Sequence, residues 1–189
     1  MAEVLPFNGL LPRPDMASQV AAVPYDVVNS EEAAALAEGN PYSFLRVSRP
    51  EIEMEAGVDL HSDAVYAKAA ANFKRLCLEA HLEVDPEKHL YIYRLKMGDH
   101  VQTGVVGAVS AEEYRKGIIK KHEKTRKDKE DDRTRHVMSL RSHTGPAFLT
   151  YRDVHEINVF IDGLTQAEPY FCFTAPDGVV HTLWRIGTE

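Results

Sequence analysis

Residues 64–80 carry the strongest structural signal in the chain, a stripe of apolar side chains at three- and four-residue steps. The stripe comprises Tyr66, Ala69, Ala70, Phe73, Leu76, Cys77 and Ala80. This spacing places them on one face of a helix, which another layer of the fold must cover. Ser62 and Asp63, just before the stripe, are favourable N-cap residues. The segment therefore predicts a long amphipathic helix packed against a core.

Two pairs of segments with alternating β-forming side chains predict antiparallel hairpins. The four segments are residues 89–95, 101–109, 170–173 and 179–184. Gly98 and Asp99 join the first pair, and the turn sequence at 176–178 joins the second. Gly104 and Gly107 indicate a bulge or a close approach of the backbone.

Shorter patterns complete the expected fold. Helices are predicted at residues 30–38, as a single turn opening at Ser110, from Lys129 towards Thr144 and at 155–164; strands are predicted at 43–47 and 147–151. The elements mix without a regular strand-helix-strand repeat. This indicates the α+β class, with a mixed or antiparallel sheet, two hairpins and several packed helices. We interpret residues 1–189 as one α+β domain and expect it to be the N-terminal part of a longer protein.

The composition is that of an ordinary globular protein, with 44% hydrophobic and 27% charged residues. The apolar runs are far shorter than the roughly 20 residues of a membrane span, and no secretory signal pattern opens the chain. Cys77 and Cys172 cannot form a disulfide framework, and no C-x-x-C pair indicates a zinc site. We therefore expect a cytoplasmic protein with reduced thiols and no membrane partner.

Three familiar motifs are absent from the sequence: the phosphate loop G-x-x-x-x-G-K-[ST], the dinucleotide fingerprint G-x-G-x-x-G and the nucleophile elbow G-x-S-x-G. Their absence excludes a P-loop enzyme, an ordinary protein kinase and a Rossmann dehydrogenase.

The charge is distributed unevenly along the chain. The formal net charge is −7, but residues 115–135 hold ten basic and five acidic side chains and carry +5, which leaves −12 for the remainder. Such asymmetry favours an anionic ligand held at one place on an acidic body. A solvated, highly charged surface helix is the alternative, and composition does not decide between the two.

The basic segment also holds the mixture of side chains that phosphoryl chemistry uses. His122, Glu123 and Asp132 are candidate catalytic groups, acting as base, phosphate donor or magnesium ligand. The candidates for binding phosphate or nucleotide are Lys124, Thr125, Lys129 and Arg133. On a helix, Lys129 and Arg133 would lie one turn apart on the same face. The structural alternative is a capping Thr and ion pairs on a solvated helix.

Two proline-containing clusters nearer the N-terminus supply candidate substrate-binding residues. They are Tyr25, Asp26, Asn40, Tyr42 and Arg46. A Tyr-Asp pair beside a proline would present a carboxylate to a cleft, whereas an Asx turn at a strand end is the alternative. Asn-Pro is likewise a good turn sequence. His136 and His143 lie seven residues apart and would share a helix face, but no further ligands stand at metal spacing, so no zinc site is predicted.

Taken together, these clusters resemble the bacterial domain of unknown function 1015 family. The matching stretches are 23–28 (VPYDVV), 40–47 (NPYSFLRV), 49–51 (RPE), 122–125 (HEKT), 129–133 (KEDDR), 144–146 (TGP) and 148–152 (FLTYR). They occur in order over most of the chain. Members of that family are considerably longer, and many are encoded beside serine-biosynthesis genes. The resemblance therefore implies that this sequence is an N-terminal half.

The family also resembles, more distantly, the ParB and sulfiredoxin superfamily, which includes nucleotide-dependent kinases of free serine. This resemblance implies a phosphotransferase that uses ATP or ADP with Mg²⁺ and acts on a small hydroxyl substrate, with free serine as the leading candidate. The implied partners are a nucleotide and a small-molecule substrate. The sequence is also compatible with a homo-oligomer.

A nucleic-acid or nucleotide binding module without enzymatic activity is the alternative function. The basic run would bind the phosphate backbone of a nucleic acid through its positive charge. Against this reading, no aromatic side chains interleave with the basic run, and the −12 remainder would repel a long polyanion.

Overall fold

The computed structural model describes residues 2–80, 82–122 and 124–187. The chain divides into two compact units. The sheet unit comprises Met1–Ser18, Glu83–Glu123 and Leu149–Glu189, and the helical unit comprises Gln19–Leu82 and Lys124–Phe148. Both units are therefore built from segments that are discontinuous in sequence.

Helices and strands both contribute in the described part of the chain. The α-helices are α1 (Ala17–Val20), α2 (Ser30–Ala37), α3 (Leu45–Ser48), α4 (Asp63–Glu79), α5 (Ala111–Arg115), α6 (Lys127–Leu140) and α7 (His155–Leu164). The strands are β1 (Val4–Leu5), β2 (Leu10–Pro12), β3 (Leu82–Val84), β4 (Leu90–Met97), β5 (His100–Val106), β6 (Ala108–Val109), β7 (Phe171–Thr174) and β8 (Val180–Ile186). Two short 3-10 helices occur at Pro14–Met16 and Pro50–Glu53. This mixture confirms the predicted α+β class.

The helical unit is organised around α4, the helix predicted from the apolar stripe. It packs against α3, α6 and the 3-10 helix Pro50–Glu53, and Ala69 and Leu76 of its stripe are almost completely buried. The adjoining helix α2 begins with the capping box formed by Asn29 and Glu32, each of which satisfies a backbone N–H of the other. These contacts fix the surfaces on which the candidate site is built.

The strand predicted at residues 43–47 is wrong, because the structure forms the short helix α3 there. The Asn40 side chain accepts a hydrogen bond from the Tyr42 N–H, and the Ser43 hydroxyl accepts one from the Leu45 N–H. These local bonds turn the backbone into a helix. Leu45 and Val47 are both buried, at 2% and 1% exposure. Their two-residue spacing therefore arises from a short helix that is buried on several sides, and not from one face of a sheet.

The sheet unit contains a four-stranded antiparallel sheet in the order β5-β4-β8-β7. Both predicted hairpins are confirmed, with β4 paired to β5 and β7 paired to β8. Ile161 of α7 packs on Ile92 and Trp184 to form the core of one face. Two smaller pairings, β1 with β6 and β2 with β3, lie outside this sheet.

The second predicted strand, at residues 147–151, is also wrong: these residues have irregular structure. The side chains of Phe148, Leu149 and Tyr151 are exposed. A strand needs a neighbouring backbone to complete its hydrogen-bond ladder, which alternation in sequence does not supply. In the described residues, no helix is both long enough and apolar enough to span a membrane.

Candidate functional site

A cleft with a volume of about 100 Å³ opens in the helical unit. Its walls come from the loop before α2, the end of α3 with the following 3-10 helix, the segment that enters α4 with the first turns of that helix, and α6. The titratable residues that line it are Tyr25, Arg49, Glu51, His61, Tyr66, Lys129, Asp132, Arg133 and His136. Charged and aromatic side chains from four separate stretches of sequence therefore meet in one place.

Helix α6 supplies one wall of the cleft. Asp132 and Arg133 come three and four residues after Lys129, and His136 comes three residues after Arg133, so all four lie on one side of the helix and line the cleft. The structure thus places the predicted phosphate-binding pair, Lys129 and Arg133, beside the predicted catalytic carboxylate of Asp132.

The Asp132 carboxylate is held on both oxygens. Oδ1 accepts a hydrogen bond from the Tyr66 hydroxyl at 2.5 Å, and Oδ2 accepts from Nε and Nη2 of Arg133 at 2.9 and 2.6 Å. Burial raises the pKa of this carboxyl, but the hydrogen bonds from Tyr66 and Arg133 and the positive charge of Arg133 outweigh burial and lower the pKa below its ordinary value. Asp132 is therefore a fixed anion that orients its neighbours.

Arg133 is held in position from two directions. Its guanidinium carbon lies 4.0 Å from the centre of the Tyr25 ring, a cation–π contact, while its nitrogens bind Asp132. A third of its side chain, 33%, is exposed. Tyr25, predicted to bind substrate, thus contacts the cation that lines the cleft.

Arg49 and Glu51, just after α3, form an ion pair that also lines the cleft. The Arg49 guanidinium donates from Nη2 to the Val28 carbonyl at 2.5 Å, and its Nε lies 3.5 Å from Oε1 of Glu51. Glu51 is only 8% exposed and also accepts a hydrogen bond from the Ser30 hydroxyl at 2.9 Å. Within the described residues, neither Nη1 of Arg49 nor Nζ of Lys129 has a hydrogen-bond partner. Donors therefore remain available at the cleft for an anion.

His136 lies deeper in the same wall and is 4% exposed. Its Nε2 lies 3.2 Å from the Val47 carbonyl oxygen, which can only accept, so Nε2 carries the proton. Burial is the largest influence on the imidazole and lowers its pKa, which keeps the ring neutral.

The structure distributes the other predicted residues as follows. Lys124 and Thr125 are exposed and come just before α6 in the helical unit. His122 is exposed and belongs to the sheet unit, and Glu123 lies outside the described residues. Asp26 is exposed and does not line the cleft.

Asn40, Tyr42 and Arg46 take part in the architecture of the helical unit and do not line the cleft. Arg46 donates to the carbonyl oxygens of Ala37 and Asn40 at 2.7 and 3.0 Å and to the Glu53 carboxylate at 2.6 Å. These bonds link α2, α3 and the 3-10 helix that follows.

Sequence reasoning did not select Arg49, Glu51, His61 or Tyr66 as site residues. The Arg-Pro-Glu stretch at 49–51 is part of the family resemblance, but its residue types alone do not indicate a role in binding or catalysis. Tyr66 was placed in the apolar stripe of α4, and its ring is indeed 5% exposed. Only the fold shows that its hydroxyl reaches Asp132 from the edge of that stripe.

The chain is thus an α+β protein whose helical unit presents a cation-rich cleft around the partly buried carboxylate of Asp132. A family model described as "Protein of unknown function (DUF1015)" matches residues 4–189, and the chain belongs to this family. No curated protein and no solved structure gave a match. The more distant resemblance to the ParB and sulfiredoxin superfamily stays a prediction.

Proposed function

We propose that this chain binds the phosphates of a nucleotide and is part of a phosphotransferase that acts on a small hydroxyl substrate. Free serine is the leading candidate substrate, and ATP or ADP is the phosphoryl donor. The observation that carries the proposal is the meeting of Arg49, Lys129 and Arg133 around one cleft beside the Asp132 carboxylate.

The chemistry of these cations suits a phosphoryl group. The planar guanidinium of an arginine binds two phosphate oxygens at once, and a lysine ammonium acts as a compact positive charge. Positioning and charge stabilisation supply most of the catalysis in phosphoryl transfer. Tyr25 and Asp132 hold Arg133 in position, with Nε and Nη2 bound to Asp132 and a third of the side chain exposed, so a bound phosphate would meet its remaining donors.

The size of the cleft supports a small occupant. Pockets for drug-sized ligands have volumes of roughly 300–1,000 Å³, whereas this cleft measures about 100 Å³. A phosphoryl group or a small hydroxyl compound fits such a space, and the nucleoside of a nucleotide would extend beyond it. Lys124 and Thr125, which come just before α6, remain candidates to contact that outer part.

Mg²⁺ would enter with the nucleotide. Among the described residues, no three His, Cys, Asp or Glu side chains are placed to hold a metal ion. Mg²⁺ is commonly bound by one or two carboxylates together with substrate phosphates, where it neutralises phosphate charge. Glu51 and Asp132 are the carboxylates that line the cleft, and Glu123 remains a candidate from the sequence. His122 likewise remains a sequence-based candidate for base or phosphate donor.

The direct test is to incubate the full-length protein with serine, Mg²⁺ and either ATP or ADP and to measure phosphoserine. The proposal predicts product with at least one nucleotide, and strong loss of product in Lys129→Gln and Arg133→Gln. Lys127→Gln is the matched control, because Lys127 lies on the same helix but pairs with Asp131 on an exposed surface. Absence of phosphoserine with both nucleotides, together with an unchanged melting temperature on adding either, would refute the proposal.

A further inference from the structure

We infer that His61 is the general base of the proposed reaction, held by Asp132 and Tyr66 in the tautomer that leaves Nε2 unprotonated. This inference rests on the proposed function and adds a residue that the sequence did not select. His61 lines the cleft together with Lys129 and Arg133.

Two groups face Nδ1 of the His61 ring. The Tyr66 hydroxyl oxygen lies 3.4 Å from Nδ1, and Oδ1 of Asp132 lies 3.3 Å from it. The Tyr66 hydroxyl itself donates to the same Asp132 oxygen at 2.5 Å. The three side chains therefore form one compact triangle.

The protonation of these two neighbours determines the tautomer. Burial, followed by the hydrogen bond to Asp132, raises the pKa of Tyr66 to about 12, so the phenol keeps its proton at neutral pH. That proton is directed at Asp132, and the ionised carboxylate has no proton to give. Both atoms facing Nδ1 can therefore only accept, which places the imidazole proton on Nδ1 and the lone pair on Nε2.

The backbone of His61 is fixed on both sides. Its N–H donates to Oδ1 of Asp59 at 3.0 Å, and its carbonyl accepts a hydrogen bond from Nη1 of Arg135 at 2.8 Å. Arg135 also pairs with Asp63 and lies 4.3 Å from the centre of the Tyr66 ring. The loop that carries His61 is thereby tied to α6 and to the start of α4.

His61 is also the accessible base of the cleft. Its side chain is 63% exposed, and Nε2 has no hydrogen-bond partner among the described residues. Both oxygens of Asp132 are occupied, and His136, at 4% exposure, offers little surface to a substrate. The Asp-His pair has the arrangement in which a carboxylate orients an imidazole and the distant nitrogen takes a proton.

The step is a proton transfer coupled to phosphoryl transfer. Nε2 of His61 takes the proton of the substrate hydroxyl as that oxygen forms a bond to the terminal phosphorus of the nucleotide. The bond between that phosphorus and the bridging oxygen breaks, and its electron pair leaves with the shortened nucleotide. The imidazolium then releases the proton to solvent, which restores the base.

The activity test uses His61→Ala in the full-length protein. General-base catalysis contributes about 10²–10⁴-fold, so the variant should lose at least about 100-fold in kcat with little change in the KM for nucleotide. Because the side chain is largely exposed, its removal opens space to solvent, and added imidazole should restore part of the rate. His143→Ala, an exposed histidine of the same unit, is the control and should keep wild-type activity.

The outcomes separate the two proposals. No phosphoserine from the wild-type protein would overturn the proposed function and the base role with it. An active wild type with an equally active His61→Ala, or a loss that imidazole does not rescue, would overturn the base role alone. Nitrogen NMR of the His61 ring tests the tautomer without turnover: a protonated Nδ1 supports the inference, and a protonated Nε2 contradicts it.

Discussion

Single side chains in the helical unit serve both packing and the proposed chemistry. Tyr66 buries its ring in the stripe of α4 while its hydroxyl holds Asp132. Hydropathy patterns detect the ring and not the hydroxyl, so the sequence predicted the first role and missed the second. Asp132 and Arg133 were predicted as site residues because their charge and spacing are visible in the sequence. Arg49 and His61 were not, because their relation to α6 exists only in three dimensions.

The cation–π contact between Tyr25 and Arg133 leads to a prediction about nucleotide affinity. Such contacts are worth about 0.5–1 kcal/mol at exposed sites, so Tyr25→Ala should weaken ADP or ATP binding by about two- to fivefold by freeing the guanidinium. Tyr25→Phe keeps the ring and should bind as the wild type does. Isothermal titration calorimetry measures both. Equal affinity in Tyr25→Ala and the wild type would show that Tyr25 does not position Arg133.

The Glu53 carboxylate gives a prediction about acid stability. Burial raises its pKa, but hydrogen bonds from Lys68, Arg46 and Asn72 outweigh burial and lower the pKa from 4.5 to about 2. A carboxyl with a lowered pKa stabilises the fold above pH 4.5, and this stabilisation is lost as the pH falls from 4.5 to about 2. The shift corresponds to something on the order of 3 kcal/mol.

Urea unfolding at a series of pH values checks this stabilisation. Between pH 5 and 2, the wild-type free energy of unfolding should fall more steeply than that of Glu53→Gln, which has no carboxyl to protonate. Glu79→Gln, which removes a half-exposed carboxylate paired with Arg75, should follow the wild-type curve. Parallel curves for Glu53→Gln and the wild type would contradict the assignment.

At the scale of elements, long periodic segments and short helices with N-cap signals were predictable, whereas short alternating segments were not. Helix α4 begins within one residue of its predicted start, and α7 coincides with the predicted 155–164. Their apolar spacing extends over enough turns to distinguish a helix from a strand. The five-residue alternations at 43–47 and 147–151 are too short for that distinction. Side-chain hydrogen bonds favoured a helix at 43–47, and residues 147–151 have no neighbouring strand to pair with.

Gly104 and Gly107, near the end of the first hairpin, differ in the space available to a side chain. A Cβ at Gly107 would lie 2.5 Å from Cγ1 of Val4 and 2.8 Å from Cδ2 of Leu90, whereas a Cβ at Gly104 would meet nothing within 4 Å. Gly107→Ala should lower the free energy of unfolding by about 1–3 kcal/mol through overpacking, and Gly104→Ala should be neutral or slightly stabilising. Chemical denaturation measures both, and equal stabilities would contradict the close approach of Gly107 to Val4 and Leu90.

At the scale of the whole molecule, more than half of the ten cations of residues 115–135 are paired with nearby carboxylates. Six of its cations pair with carboxylates: Arg115 and Lys116 with Glu112, Arg126 with Asp128, Lys127 with Asp131, Arg133 with Asp132, and Arg135 with Asp63. The sequence showed the net charge of this segment but not this pairing. Of the ten cations, Lys120, Lys121, Lys124 and Lys129 have no carboxylate partner among the described residues, and Lys129 is the one of these four that lines the cleft.

This pairing yields a prediction about nucleic acid. Few cations remain to displace counterions, so duplex DNA should bind no more tightly than the roughly 10⁻⁴ M typical of weak non-specific contacts at physiological salt. Fluorescence anisotropy of a labelled duplex, repeated over a range of salt concentrations, measures this affinity. Micromolar binding with a steep salt dependence would favour the nucleic-acid alternative instead.

The central claim is that nucleotide phosphates bind in the cleft of the helical unit. Calorimetric titration of the full-length protein with ADP or ATP and Mg²⁺ tests it most directly, with Lys129→Gln and Lys127→Gln compared on the same helix. Loss of a single phosphate contact to a cation is worth about 1.5–3 kcal/mol, so Lys129→Gln should bind at least about tenfold more weakly. Lys127→Gln should bind as the wild type does. Equal affinity in the two variants, or no binding to the wild type, would contradict the account.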